Sequence, residues 1–274
     1  MSIVFRRLSL LLITTLLSPV VFADLIMTAP PRESVEAGTK LYAPIANYLS
    51  KALGEKVVYK HPRNWLHYQS DMRADKYDIV FDGPHFISWR IKHLGARAMV
   101  KLPGKLQFFV VSMADDKEIK KIEDVIGKRV CGIAPPNLAT LSMMAKLNNP
   151  ARQPVLHPVR GGFKSVNKEF KQGKCRAAIF RTAFFKKKLP QSDRDMMRII
   201  YTSPALPNQG FSVSSRISSK KLQKIRSAML SRDGTAASAN LLKRFGGKAK
   251  GFKTAINREF KDQYLFLEGV IFGW

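Results

Sequence analysis

Short apolar runs alternate along the chain with longer segments in which apolar residues recur at helical spacing. Such runs are typical of buried strands, and the spaced segments are typical of helices packed against them. Strands are predicted at residues 25–28, 56–61, 77–81, 106–113, 128–133, 154–159 and 175–180, with extended segments at 199–207 and 211–214. Helices are predicted at residues 38–53, 65–74, 84–94, 138–147, 163–172, 183–188, 219–231, 238–245 and 253–265. This alternation predicts an α/β fold with parallel sheets.

Several of the predicted strands run into turns built from small, proline or polar residues. Ligands bind outside the carboxyl ends of the strands in open parallel sheets, so turns at these ends are typical of a binding cleft. The turns are Ala29-Pro30-Pro31-Arg32, Asp82-Gly83-Pro84-His85, Ala134-Pro135-Pro136-Asn137, Arg160-Gly161-Gly162 and Arg181-Thr182. Their recurrence predicts that the chain binds a ligand where they converge.

The turn that precedes the helix at residues 138–147 is a candidate anion site. Asn137 is a suitable N-cap, and Ala139 and Thr140 fall in the first helical turn. The free amides of a helix N-terminus and the positive end of its dipole both favour an anion. An ordinary strand–turn–helix unit has the same sequence pattern, so the site is a hypothesis.

Other candidate ligand contacts each have a structural alternative. Tyr42 offers a hydroxyl to an anion or packs in the core as a helix-face aromatic. Asp82 accepts a proton from a ligand or caps the next helix, and capping is the favoured role. His85 donates to an oxyanion or is a half-buried loop histidine. Arg160 and Arg181 carry planar guanidinium groups suited to a tetrahedral or carboxylate anion, although basic residues are abundant in this chain.

The N-terminus has the pattern of a secretory signal peptide, predicted at residues 1–23. Arginines precede an apolar run, and Val21-Phe22-Ala23 fits a cleavage site. A membrane anchor is the alternative, but the apolar run is shorter than the roughly twenty residues that span a bilayer. Export to the periplasm is therefore expected.

Crossing segments at 106–113 and 208–214 predict two hinged lobes, one of residues 24–107 and 208–274 and one of residues 108–207.

The chain is strongly basic, with a formal net charge of +27. Binding to nucleic acid, attraction to acidic membrane or cell-wall polymers, and gathering of small anions would each favour such an excess. The export signal and the lack of nucleic-acid-binding motifs argue against nucleic acid. Much of the charge falls at helical spacing between apolar positions, which is also the pattern of ordinary solvated helix faces.

Cysteine and histidine usage limits the chemistry. The two cysteines, Cys131 and Cys175, form either a disulfide or two buried thiols, and an oxidising compartment favours the disulfide. The histidines have no metal-ligand spacing, so neither a metal nor another cofactor is expected. No nucleophile elbow, Cys–His pattern or phosphate loop occurs, and the chain is predicted not to be an enzyme.

Several segments together resemble the PhnD-like phosphate/phosphite/phosphonate substrate-binding proteins of ABC transporters. They are the Pro30-Pro31 loop, Tyr42-Ala-Pro-Ile-Ala-Asn-Tyr-Leu-Ser, Gly54-Glu-Lys-Val-Val, Tyr77-Asp-Ile-Val-Phe-Asp-Gly-Pro and Ile122-Glu-Asp-Val-Ile-Gly-Lys-Arg-Val. The resemblance implies a class II periplasmic-binding-protein fold, in which two α/β lobes close on a ligand. It also implies a cleft role for Tyr42.

The sequence departs from the family pattern at two places. Relatives carry a Ser-Thr-Ser-Gly type motif where this chain has Asn137-Leu-Ala-Thr, and an acid where it has Arg176. The expected function is capture of a small oxyanion by a monomeric periplasmic protein for an ABC permease. One alternative is a ligand-sensing partner of a membrane histidine kinase or receptor. Another is a basic adaptor that binds an acidic protein or envelope polymer.

Overall fold

Two open β-sheets organise residues 24–269, the part of the chain that the computed structural model describes. The predicted signal peptide lies outside the described residues. The strands are β1 (Leu25–Thr28), β2 (Val57–Tyr59), β3 (Ile79–Asp82), β4 (Arg97–Lys101), β5 (Lys105–Leu106), β6 (Phe108–Met113), β7 (Arg129–Gly132), β8 (Val155–Pro158), β9 (Ala177–Arg181), β10 (Met197–Thr202), β11 (Leu206–Pro207), β12 (Gly210–Val213) and β13 (Lys253–Thr254). The helices are α1 (Val35–Leu53), α2 (Trp65–Arg73), α3 (Pro84–Leu94), α4 (Leu138–Leu147), α5 (Phe163–Lys171), α6 (Thr182–Lys188), α7 (Gln191–Asp195), α8 (Ser219–Leu230), α9 (Arg232–Ala237), α10 (Ala239–Leu241) and α11 (Leu265–Glu268).

The first lobe is built on a sheet with the strand order β13-β4-β12-β3-β1-β2. Strands β1, β2 and β3 are parallel, so their carboxyl ends lie at one edge of the sheet. Strand β3 is buried along its whole length, as its continuous apolar sequence predicts for the middle of a sheet. Helix α1 begins at the N-cap Ser34 and ends at Gly54, which adopts the left-handed conformation that glycine tolerates best. Its apolar side packs on this sheet.

The second lobe has the strand order β10-β6-β9-β7-β8. Here β7, β8 and β9 are parallel, and their carboxyl ends also share one edge. Helix α4 covers one face of the sheet, while α5 and α6 cover the other. The short strands β5 and β11 pair with each other in the two segments that join the sheets. The chain therefore crosses between the lobes twice, once in each direction.

A disulfide joins Cys131 and Cys175 in the second lobe. Cys131 lies in β7, and Cys175 lies just before β9, the neighbouring strand. Both residues are buried, with exposures of 0% and 5%, and their Cα atoms are 5.6 Å apart. The disulfide therefore links β7 to the segment that leads into β9, the adjacent strand of the same sheet.

The structure differs from the sequence prediction at a helix near the C-terminus and at a strand of the first lobe. The helix predicted at 253–265 is wrong, because Lys253–Thr254 forms the edge strand β13 and a 3-10 turn follows at Asn257–Phe260. Strand β4 was not predicted, since its ends are charged and only its centre is apolar. Pairing with β12 and β13 supplies the backbone hydrogen bonds that identify it as a strand. Within residues 24–269, no helix is long and apolar enough to cross a bilayer.

Candidate ligand-binding site

The turn after β3 and the turn after β7 meet across the gap between the lobes. The Nε2 atom of His85, in the first lobe, lies 3.1 Å from the carbonyl oxygen of Pro136, in the second. An apolar contact accompanies this hydrogen bond, because Leu141 of α4 packs with Tyr68 and Trp89 of the first lobe. The carboxyl edges of the two sheets therefore face each other, as expected of a cleft whose walls are the strand-end turns.

The strand order gives the positions of the other turns in this cleft. Strands β12 and β6 directly follow the crossing segments. From β12 outward, the strand order of the first sheet is β12, β3, β1, β2, and from β6 outward, the order of the second sheet is β6, β9, β7, β8. Arg32 follows β1, one strand from the His85 turn, and Arg181 ends β9, one strand from the Pro136 turn. Two arginines thus lie at the facing edges, one from each lobe.

His85 is buried, and its role is to join the lobes. A carbonyl oxygen only accepts hydrogen bonds, so Nε2 carries the proton and Nδ1 is the acceptor nitrogen. Burial lowers the pKa of His85 to about 3, and the hydrogen bond to Pro136 only partly opposes this. The ring is therefore neutral, and its N–H is directed at the protein backbone. The Nε2–H of His85 is thus bonded to Pro136, and the ring is buried rather than half-buried as the alternative expected.

The neutral state of His85 makes stability depend on pH. The unfolded histidine gains a proton near its ordinary pKa of 6.5, whereas the folded one resists protonation until pH is about 3. In this window the unfolded state binds more protons, so the free energy of unfolding should fall as pH decreases. Urea unfolding at pH 7 and pH 4.5 measures this fall in the free energy of unfolding. The fall should be smaller in the variant His85→Gln than in the parent. His67→Gln, outside the cleft, is the matched control. An equal loss in His85→Gln and the parent would contradict this assignment.

Asp82 lies beneath the cleft in a buried ion pair. Its Oδ2 atom is 2.8 Å from Nη1 of Arg90 and accepts a hydrogen bond of 2.7 Å from the Tyr68 hydroxyl. Arg90 also donates to Oγ of Ser212 at 2.8 Å. Burial raises the pKa of the Asp82 carboxyl, and Arg90 and Tyr68 counteract part of the rise. This network fixes the end of β3 against α2 and α3.

The favoured helix-capping role of Asp82 was wrong. The N-cap of α3 is Gly83, and no side chain caps that helix. The carboxylate is directed instead toward Arg90, because a buried carboxylate requires a charged partner more than a helix end requires a cap. Its second oxygen, Oδ1, is buried without a hydrogen-bond partner among the described residues.

The helix end at Asn137 keeps its predicted cap, but two of its candidate donor groups bond within the chain. Asn137 Oδ1 accepts from the Ala139 amide at 3.1 Å, so that amide is already bonded. The Thr140 hydroxyl donates to the Ile133 carbonyl at 2.6 Å, and Thr140 is fully buried. The proposed oxyanion contacts at Ala139 N and Thr140 Oγ1 are therefore corrected, since both groups satisfy the chain's own strand–helix junction.

The cap at Asn137 has a measurable stability effect. Asn137→Ala removes the acceptor of the Ala139 amide and is expected to lower the free energy of unfolding by about 1 kcal/mol. Asn137→Ser keeps an N-cap oxygen, so its free energy of unfolding should differ from that of the parent by only a few tenths of the loss expected for Asn137→Ala. Chemical unfolding of both variants tests this, and equal stability of the alanine variant and the parent would show that the cap contributes nothing.

Arg181 and Arg160 both end strands of the second lobe, yet they differ in burial. The Arg181 side chain is half-buried, and this burial lowers the pKa of its guanidinium from the ordinary value. Its Nε atom and the neighbouring Thr182 hydroxyl are buried without hydrogen-bond partners among residues 24–269. Arg160 is exposed. The structure thus places Arg181 in the wall of the cleft and Arg160 at its surface.

Tyr42 belongs to the core of the first lobe. It is 2% exposed, and its ring packs on Tyr59 and Phe81 at centroid distances of 5.1 and 6.0 Å. Burial raises its pKa to about 12, and the nearby Arg32 opposes part of this rise. The core alternative for Tyr42 is therefore the one observed, with its hydroxyl close to Arg32.

Arg32 is a cleft residue that the sequence analysis did not select. Its Nη1 donates to Gln209 Oε1 at 3.0 Å, and its guanidinium lies 5.1 Å from the centre of the Phe245 ring. Its Nε and Nη2 atoms are buried without hydrogen-bond partners among the described residues. The adjacent Glu33 pairs with Arg244 at 2.9 Å and does not neutralise Arg32. The strand-end rule would have found Arg32, because it completes one of the five predicted turns.

Comparison with known protein families identifies the family to which this chain belongs. The family model for the ABC transporter, phosphonate, periplasmic substrate-binding protein matches residues 27–260. The chain belongs to this family. The predicted resemblance is thereby confirmed, and the match covers both sheets and every cleft residue described above. A comparison with curated protein sequences found no match.

Solved structures share the fold of this phosphonate-binding family member. XAC2383 from Xanthomonas citri bound to ATP has a TM-score of 0.71 and 13% identity, covering 89% of this chain and 97% of that one. PhnD1 from Prochlorococcus marinus in complex with methylphosphonate has a TM-score of 0.63 and 13% identity, with coverage of 89% and 97%. A binding component of a Pseudomonas aeruginosa ABC phosphonate transporter has a TM-score of 0.59 and 16% identity, with coverage of 88% and 83%. The predicted two-lobe class II periplasmic-binding-protein fold is confirmed.

Proposed function

We propose that this family member captures a small oxyanion of the phosphate or phosphonate class between its lobes for an ABC importer. Arg32 forms one wall of the site, and Arg181 with the Thr182 hydroxyl forms the other. The lobes correspond to residues 24–107 with 208–274 and to residues 108–207, after removal of a signal peptide at 1–23. The mature chain acts in the periplasm as a monomer, without catalysis or a cofactor.

The carrying observation is that both cleft guanidinium groups retain buried N–H groups without partners. Buried polar groups in native proteins are nearly always hydrogen-bonded, so unpartnered donors at a cleft mark the position of a ligand. Arg32 contributes Nε and Nη2, while Arg181 contributes Nε. A guanidinium group forms paired hydrogen bonds with the oxygens of a phosphoryl or phosphonyl group.

Charge balance supports an anionic ligand. The positive charge of Arg90 is matched by Asp82 at 2.8 Å, and Glu33 is matched by Arg244 at 2.9 Å. Arg32 and Arg181 have no carboxylate partner among the ion pairs of residues 24–269. Closing the cleft over two uncompensated cations costs desolvation energy, which an anion with two negative charges would offset.

The departures from the family motif are consistent with this arrangement. The hydroxyl-rich turn of relatives is replaced by Asn137-Leu-Ala-Thr, in which the Ala139 amide and the Thr140 hydroxyl are bonded internally. We infer that guanidinium groups replace the missing hydroxyl groups as the main donors. The ligand would then be held by charge-assisted hydrogen bonds from opposite walls.

Thermal unfolding of the mature protein, residues 24–274, tests the proposal. The panel contains phosphate, phosphite, methylphosphonate, sulfate and acetate, with ATP added because XAC2383 was solved bound to ATP. A ligand at about a hundred times its Kd should stabilise the protein by about 2.7 kcal/mol and raise its melting temperature. Stabilisation by phosphate or a phosphonate supports the proposal. Stabilisation by ATP alone would identify a nucleotide-binding protein, and no shift with any anion would reject the oxyanion site.

A further inference from the structure

The outer surface of the second lobe carries a basic face. It consists of four exposed lysines on α5 and α6, namely Lys164, Lys168, Lys187 and Lys188, and is here termed the lysine face. The two helices share one side of the sheet because Val166, Phe170 and Phe185 anchor them in the same apolar cluster. The exposed lysines of both helices therefore lie on the same side of the sheet.

Acidic residues near the lysine face are already paired with other groups. Glu169 lies 2.7 Å from His157 Nε2 and 3.6 Å from Lys174 Nζ. Asp193 is 6% exposed and accepts from Lys171 at 2.6 Å and from Asn167 at 2.7 Å. These carboxylates neutralise their own partners, and none forms an ion pair with the lysine face among the described residues. The positive charge of the face is therefore available to an external partner.

The composition of the face indicates what kind of partner it fits. Large exposed apolar side chains of the described residues all lie outside α5 and α6. Protein–protein interfaces are centred on buried aromatic, methionine and arginine side chains and are depleted in lysine. A face of lysines without an apolar anchor instead matches a surface of repeated negative charges, such as anionic headgroups.

A shallow, open groove along α5 lies beside these lysines. It has a volume of about 500 Å³ and is lined by Lys164, Ser165, Asn167, Lys168, Lys171 and Gln172. Lysine ammonium groups and a serine hydroxyl are donors, as a phosphodiester oxygen requires. The groove opens on the lysine face, so a bilayer that contacts the lysines would present its phosphates to it.

We propose that the lysine face docks this protein onto a bilayer that contains anionic phospholipids. Attraction to such a surface is additive over the lysines and needs no insertion of apolar residues. The docking is independent of the cleft, since no residue of the lysine face lies in a strand-end turn of the binding site. It would restrict the loaded protein to diffusion along the membrane in which an ABC permease is embedded.

Vesicle co-sedimentation of the mature protein tests this proposal. The vesicles contain phosphatidylcholine alone or with phosphatidylglycerol in equal parts, at about 0.15 M salt. The triple variant Lys164→Gln, Lys168→Gln, Lys187→Gln removes three charges from the face. Each lysine near an anionic surface is worth about 1 kcal/mol, or roughly fivefold in partitioning, so the triple variant should partition about a hundredfold less.

A second triple variant, Lys220→Gln, Lys248→Gln, Lys250→Gln, is the matched control. These lysines are exposed in the first lobe, and their loss changes the net charge equally. Retention of binding by the control and its loss by the face variant support the proposal. Equal losses would show that total charge drives binding, and equal binding to neutral vesicles, or no binding to either type, would also overturn it. Far-ultraviolet circular dichroism confirms that both variants are folded.

Discussion

Arg181→Met is expected to weaken oxyanion binding about thirtyfold or more. Arg181 has a half-buried side chain whose buried Nε has no partner within residues 24–269, so a bound anion would be its counter-charge. Removing one member of a buried, hydrogen-bonded charge pair costs about 2–5 kcal/mol of binding free energy. Isothermal titration with methylphosphonate or inorganic phosphate, whichever stabilises the parent, measures the change in Kd.

The same substitution should have the opposite effect on stability. Without ligand, the parent buries a cation that lacks a carboxylate partner, whereas methionine fills similar space without a charge. The free energy of unfolding of ligand-free Arg181→Met should therefore rise by about 1 kcal/mol or more. Arg160→Met is the matched control, because Arg160 follows β8 of the same sheet but is exposed. Arg160→Met should change neither the Kd for the anion nor the free energy of unfolding appreciably. Equal loss of affinity in the two variants would remove Arg181 from the site.

Asp82→Asn is expected to lower the free energy of unfolding by about 3–5 kcal/mol. The substitution leaves the Arg90 guanidinium buried without its counter-charge, at 3% exposure. It also replaces the oxygen that accepts from the Tyr68 hydroxyl. For a protein of this size the loss corresponds to a decrease of about 6–20 °C in melting temperature. Calorimetry and urea unfolding of the ligand-free protein measure it.

Two further variants separate the charge pair from its surroundings. Asp75→Asn weakens the ion pair with Arg216, whose side chain is 45% exposed, and should cost less than about 1 kcal/mol. The double variant Asp82→Asn, Arg90→Met removes the stranded cation and should recover much of the stability lost in Asp82→Asn. A double variant less stable than the single one would show that Arg90 stabilises the fold mainly through packing and Ser212, not through Asp82.

The strand-end turns were predictable because they depend on local sequence. An apolar run followed by proline, glycine and polar residues can form few local structures other than a strand that ends in a turn. The turns at residues 82–85 and 134–137 lie where this pattern predicted them. Parallel pairing then brings their carboxyl ends to one edge of each sheet. Predicting the turns therefore also predicted the general location of the cleft.

The role of each side chain in those turns was not predictable from local sequence. Arg160 and Arg181 have equivalent positions at strand ends, and only burial by distant segments distinguishes them. Thr140 has the hydroxyl that an oxyanion site needs, but the Ile133 carbonyl lies 2.6 Å away in the folded chain. Asp82 could not be assigned to Arg90 without knowing that α3 returns its side chain to the end of β3. These are questions of tertiary contact, and periodicity contains no information about them.

The disulfide between Cys131 and Cys175 has a consequence for how the cleft recognises its ligand. It ties β7, which leads into the Pro136 turn, to the start of β9, which ends at Arg181. The two parts of the second lobe that we propose to face the ligand are thereby cross-linked within one sheet. Differences in ligand size must then be accommodated by the first lobe and by the crossing segments. Selection among oxyanions would act through the angle of closure rather than through the shape of this wall.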